Sequence, residues 1–279
     1  MRCLDNSLLD IFYQPIDADA CDIAFPVAES TDRLIREIWG VERPKRKCRV
    51  YITESGLGFV FRSAPWHLRL WYGLWIPFYW YEIWHAWREA GGWTVGHRRQ
   101  APAAAIKPPR ILERSPSRMG RLLYPRTSSI DKFRNIVCHE LTHAYTVHLR
   151  LPLWLNEGLA MLTVDRYFGA AQIRPETLEI LGRAVDRIEP RDYRHRSSMS
   201  DYTIVAHYAR GYWTTRYLEE TTPDALRGLL RARLPRKIVN ERIAQALGMD
   251  HKTMWKHLDR RVHSYFVTRH PALFAPPSH

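Results

Sequence analysis

Cysteine is scarce in this chain: Cys3, Cys21, Cys48 and Cys138 are the four, scattered over 279 residues with no C-x-x-C pair. That spacing excludes a disulfide framework and a zinc ribbon, and reduced thiols are the expectation. A long hydrophobic run is also missing. The uncharged core of the most aromatic segment, Leu70 to Tyr81, is twelve residues long with Pro77 inside it, where a spanning helix needs about twenty. Met1 to Ser7 carries an acidic residue where a signal peptide has a basic stretch and an apolar core, so a cytoplasmic location is expected. No internal repeat and no long low-complexity linker is found.

Acidic residues are outnumbered, 29 against 42 Lys and Arg, for a net charge of +13. Clustered cations bind phosphate by counterion release, and basic residues gather at 43–49, 97–99 and 231–237. No recognised nucleic-acid motif accompanies them, so they read as solvated basic faces and a nucleic-acid partner is not expected. With 46% hydrophobic residues, the chain has enough apolar material for one large domain or two small ones.

What the chain does have is His139-Glu140-Leu141-Thr142-His143. In a chain with this His and Glu content the pattern arises by chance in about three per cent of cases, so the surroundings matter. On a helix the two histidines lie four residues apart on nearly one face and can bind one ion, while Glu140 sits about a quarter turn round, beside the metal. A carboxylate there can take a proton from water. Phe133, Val137, Leu141 and Ala144 form the buried face, Ser128 to Asp131 reads as a capping box, and the helix breaks at Arg150-Leu151-Pro152.

A second helix then begins near Leu153 and carries Trp154-Leu155-Asn156-Glu157-Gly158-Leu159-Ala160. Glu157, about one turn in, can complete a His2Glu zinc site, one Zn2+ per chain. Gly158 and Ala160 leave the surface small enough for close helix packing. Cys138 points about 100° away from His139 and reads as core. His148 misses a third-ligand position and reads as surface or packing.

The two segments together resemble the gluzincins, the thermolysin and aminopeptidase clan of zinc metallopeptidases, and most of all the compact bacterial peptidase-MA-like domains. The likeness is specific over about residues 127 to 165 and weaker over 200 to 268. It implies His139, His143 and Glu157 as ligands, Glu140 as general base, and a peptide or protein as substrate. Two departures are visible. No G-x-M-E-N segment precedes His139, so exopeptidase specificity is not implied, and Met161 stands where thermolysin-type enzymes place an Asp after the ligand Glu. Asn156 or Asp165 would then orient the ligands. An oxyanion donor is also needed, and Tyr208 is the candidate, because in similar domains the corresponding helix carries a Tyr facing the metal; Tyr212 and His207 are its rivals.

The remainder predicts an α+β fold, a small N-terminal β-sheet packed on a mostly helical C-terminal half that carries the HExxH helix. Residues 1–48 read as an extension with one helix around Leu34 to Trp39. Residues 49–270 read as a zincin-like domain, with sheet and aromatic segment over 49–125 and helices over 126–270, and 271–279 as a tail. Strands are predicted at 49–53 and 58–61 as a hairpin, and at 92–96 and 103–106. A strand between Trp93 and Leu112 would bind peptide through its backbone.

The aromatic segment 66–93 could pack over the catalytic helices as a lid, line a groove or touch a bilayer interface. Packing or groove lining is the favoured expectation, with peripheral membrane contact behind it. The reading from sequence is therefore a zinc metallopeptidase. The alternative is a zinc-stabilised binding protein with a vestigial site that holds a partner, membrane surface or nucleic acid through its aromatic and basic segments.

Overall fold

Among the described residues the strands all lie within the first 106 positions and the regular elements after them are helices, which makes the fold α+β. The computed structural model describes residues 1–96, 100–114, 118–183 and 201–274. The basic residues at 97–99 and the end of the tail lie outside the described residues. The strands are β1 (Arg2–Asp5), β2 (Leu9–Tyr13), β3 (Cys48–Ile52), β4 (Gly92–Val95) and β5 (Ala103–Ile106). The helices are α1 (Ala18–Leu34), α2 (Gly56–Ser63), α3 (Trp66–Glu89), α4 (Pro109–Arg114), α5 (Arg118–Leu123), α6 (Ser129–Thr146), α7 (Leu153–Phe168), α8 (Thr177–Arg183), α9 (Asp201–Thr221), α10 (Pro223–Arg231), α11 (Arg236–Ala246) and α12 (Met254–Arg269). They fall into two compact units, residues 1–118 with 126–148, and residues 119–125 with 149–279.

The first unit is built on a five-stranded sheet in the order β1-β2-β3-β5-β4. The central strands β2, β3 and β5 run parallel, and β1 and β4 close the two edges antiparallel. Parallel strands are covered on both faces and so carry continuous apolar sequence. β5, Ala-Ala-Ala-Ile, is at most 1% exposed throughout. Residues 1–48 thus contribute two strands of this sheet and the 17-residue helix α1, more than the single helix expected there.

The hairpin expected at 49–61 does not form: its first half is β3, but residues 56–63 are α2. The Ser55 hydroxyl accepts the Gly58 N–H at 3.0 Å, so the Gly-rich stretch that reads as a turn is a capped helix start. Phe59 then packs with Tyr51 and Trp87 in a buried cluster. The strands at 92–95 and 103–106 do form, as neighbours.

The aromatic segment is a single 24-residue helix, α3. Close packing against the rest of the chain does not describe its middle. Trp66, Leu70, Trp71, Leu74, Trp75, Phe78, Trp80, Tyr81 and Trp84 are each 44% to 77% exposed. No helix among the described residues is long and apolar enough to cross a membrane.

α6 packs on α1, β4 and β5, burying Phe133, Val137, Leu141 and Ala144 to 2% exposure or less. Asp32 of α1 pins its far end. The Tyr145 hydroxyl donates to Asp32 Oδ1 at 2.6 Å, and Arg43 donates to both carboxylate oxygens at 2.6 Å. Burial pushes the Asp32 carboxyl up, but the hydrogen bonds from Arg43, Tyr145 and Arg36 outweigh it and hold the group below the usual carboxylate range.

The second unit is helical. α7 and α9 cross where two glycines meet: a β-carbon on Gly158 would lie 2.3 Å from the Gly211 carbonyl oxygen, and one on Gly211 2.6 Å from that of Trp154. Only Gly at both positions lets the backbones approach so closely. Trp213 and Phe266 centre the core, 1% and 0% exposed, with the Trp213 N–H donating to Thr177 Oγ1 at 3.0 Å. Pro223 opens α10, where its fixed φ suits the first turn.

Candidate metal centre

The site is carried by two helix starts that local sequence fixes. Ser128 caps α6, its Oγ accepting the Asp131 N–H at 3.0 Å. After α6 the chain turns at Arg150, the one non-glycine residue with positive φ (53°) among those described, and Pro152 opens α7. Pro at a helix boundary donates no N–H that the first turn would leave unsatisfied.

On α6, His139 and His143 bring their Nε2 atoms to 3.0 Å from each other, with the rings nearly perpendicular at 88°. Two imidazoles on one tetrahedral zinc, each bound at about 2.05 Å, have their nitrogens about 3.3 Å apart. The pair is therefore set almost as two ligands of one ion would be. The ligand atoms of His139, His143 and Glu157 all lie within 4.8 Å of one another, in a buried cluster of which His139 is the most exposed member. Two imidazoles and a carboxylate are a donor set suited to zinc. Cys138, 0% exposed, and His148 are not part of the cluster.

Glu140 is 6% exposed and seated against the edge strand β4. The Thr94 hydroxyl lies 2.6 Å from Glu140 Oε2 and 3.0 Å from the Glu140 carbonyl oxygen. It has one hydrogen, and the nearer carboxylate oxygen takes it. Two residues back on the same strand face, Gly92 leaves room for the side chain: a β-carbon there would stand 2.6 Å from Glu140 Cγ and 2.8 Å from Oε1. Neither residue is singled out by sequence motif.

The candidates on α9 lie in different surroundings. The Tyr212 hydroxyl donates to Asp165 Oδ2 at 2.6 Å and accepts from Arg216 at 3.2 Å. Asp165 Oδ1 accepts the Gln172 N–H at 2.7 Å. Tyr212 and Asp165 are thus hydrogen-bonded to each other. Burial pushes the Asp165 carboxyl up to about 6, even with the Tyr212 hydrogen bond pulling it down. His207 is buried, and burial, aided by Arg210, lowers its pKa and favours the neutral ring. Tyr208 is half-buried on the same helix, and Asn156 lies beside Glu157 on α7.

Compared with protein-family models, curated proteins and solved structures, the chain matches none of them.

Proposed function

We propose that the chain is a zinc-dependent metallopeptidase of the gluzincin type. His139, His143 and Glu157 hold the ion and Glu140 is the general base. The observation that carries the reading is the convergence, within 4.8 Å, of the ligand atoms of His139 and His143 on the HExxH helix and of Glu157 on α7. Zinc, when bound, supplies Lewis acidity toward a carbonyl and brings the pKa of water toward neutrality.

The chain's own groups account for the rest. Thr94 fixes one oxygen of Glu140, which leaves the other to take a proton from water and return it to the leaving amine. β4 is the edge strand beside that carboxylate, and an extended peptide added to it would place its backbone alongside the base. Tyr208 is the proposed oxyanion donor, on the helix that carries a metal-facing Tyr in similar domains.

The test is elemental analysis with a peptide-hydrolysis screen on protein purified without added metal. One zinc per wild-type chain, a marked loss in Glu157→Ala, and hydrolysis that vanishes in Glu140→Gln while zinc is retained are expected. A Glu140→Gln protein as active as wild type would refute the assignment. A zinc-loaded wild type that hydrolyses nothing would favour the binding-protein alternative.

A further inference from the structure

We propose that α3 is a membrane-docking helix that seats its exposed aromatic surface in the interface of an anionic lipid bilayer. At 100° per residue, the exposed large side chains of α3 run from Trp80 round to Trp75 and cover an arc of about 220°. A helix face that meets one folded partner is nearer 100° wide. A surface that wraps more than half the circumference suits a fluid phase that can close around it, and a bilayer interface is such a phase.

The residue types agree. The exposed arc is mainly Trp with Tyr, Phe and Leu, and Trp and Tyr carry an apolar ring with one polar handle, the combination that settles at the level of lipid headgroups. From Leu70 to Tyr81 no charge interrupts the surface, and exposed Glu82 is the carboxylate that stands before Trp84 on the same arc. Exposed Arg69 stands before that stretch and Arg88, with its side chain 63% exposed, after it. The chain as a whole carries +13, so the long-range field draws it toward anionic lipid.

The helix is also held at both ends. Arg69 donates to the Ala64 and Arg62 carbonyls at 2.9 and 3.0 Å. The buried Trp87 N–H donates to the Glu54 carbonyl at 2.7 Å, and Lys107 donates to the Arg88 carbonyl at 2.9 Å. The bare middle is therefore presented by a fixed frame, and docking it orders little new chain.

The experiment is co-sedimentation of the full chain with vesicles of phosphatidylcholine alone or mixed with phosphatidylserine, at low and high salt, alongside light scattering of the protein by itself. Wild type should sediment with the anionic vesicles, more weakly at high salt, with its tryptophan emission shifted to the blue. The triple variant Trp71→Ser, Leu74→Ser, Phe78→Ser alters only exposed side chains and should fold; its vesicle affinity should fall by at least about ten-fold. Glu140→Gln should bind as wild type does, which separates docking from the peptidase reading. Equal binding by wild type and the triple variant would overturn the proposal, as would no binding at all. A wild-type dimer that the triple variant dissolves would overturn it in favour of a second copy covering α3.

Discussion

Replacing Gly92 by alanine should remove most turnover while leaving metal and fold in place. The added β-carbon would stand 2.6 Å from Glu140 Cγ, 2.8 Å from Glu140 Oε1 and 2.8 Å from Ile136 Cγ2. Carbon atoms rest at about 3.5 Å or more, so the base or the strand must move by roughly 1 Å. The backbone itself accepts alanine, because Gly92 has no left-handed φ. A misplacement of about 1 Å at a reacting group costs on the order of 100-fold in rate, roughly 2.7 kcal/mol of barrier.

The assay is kcat/KM on a peptide that wild type hydrolyses, with zinc content and Tm measured in parallel. Gly91→Ala is the control, since the three atoms nearest its β-carbon would all belong to the Ile136 side chain, with Cδ1 at 2.4 Å, rather than to Glu140. It should keep near wild-type kcat/KM. A Gly92→Ala protein with full zinc and undiminished kcat/KM would refute the idea that catalysis depends on this seat for Glu140.

Asp165 makes stability depend on pH in an unusual sense. Its folded pKa of about 6 lies above the value of about 3.9 for a free carboxyl, so its contribution is greatest below about pH 4 and is lost as pH rises to about 6, a fall of roughly 3 kcal/mol. Denaturant titrations across that range should show Asp165→Asn flattening the slope; an unchanged slope would mean that the carboxyl is not the group responsible. Asp259→Ala should cost about 3–5 kcal/mol in the same assay, because it removes the buried carboxylate to which the Arg210 guanidinium, 6% exposed, donates. Arg210→Met added to it should recover much of that loss. Ser128→Ala should cost about 1 kcal/mol through the lost α6 cap, seen as a lower Tm with zinc still bound.

The parts of the fold legible in sequence are those that nearby residues decide. Ser128 and Pro152 mark where α6 and α7 begin because a hydroxyl cap and a ring-locked φ act within one turn. The i, i+4 spacing of His139 and His143 is a property of the helix alone. α2 was not legible, since Gly56-Leu57-Gly58 has the composition of a turn. It becomes helical through the Ser55 cap and through Phe59, which is drawn into a cluster with Tyr51 and Trp87. α3 misleads in the opposite direction: eleven tryptophans in the chain suggest core, yet most of those on α3 face outward. Thr94 was beyond reach for a third reason, because its partner lies 46 residues away and no local rule links a strand hydroxyl to a helix carboxylate.

Strand β4 couples the seat of Glu140 to the core behind it. Its side chains alternate, so Gly92 and Thr94 face Glu140 while Trp93 and Val95 pack against the cluster of Tyr51, Phe59 and Trp87. A slip of one residue in its pairing with β5 would reverse both faces. Trp93 would then be driven into the place of Gly92, where there is no room even for a methyl group, and the Thr94 hydroxyl would enter an apolar cluster. Core packing on one side of the strand thereby fixes the register of the seat on the other. The base is held to its position by residues that never touch it, Tyr51 and Phe59 among them.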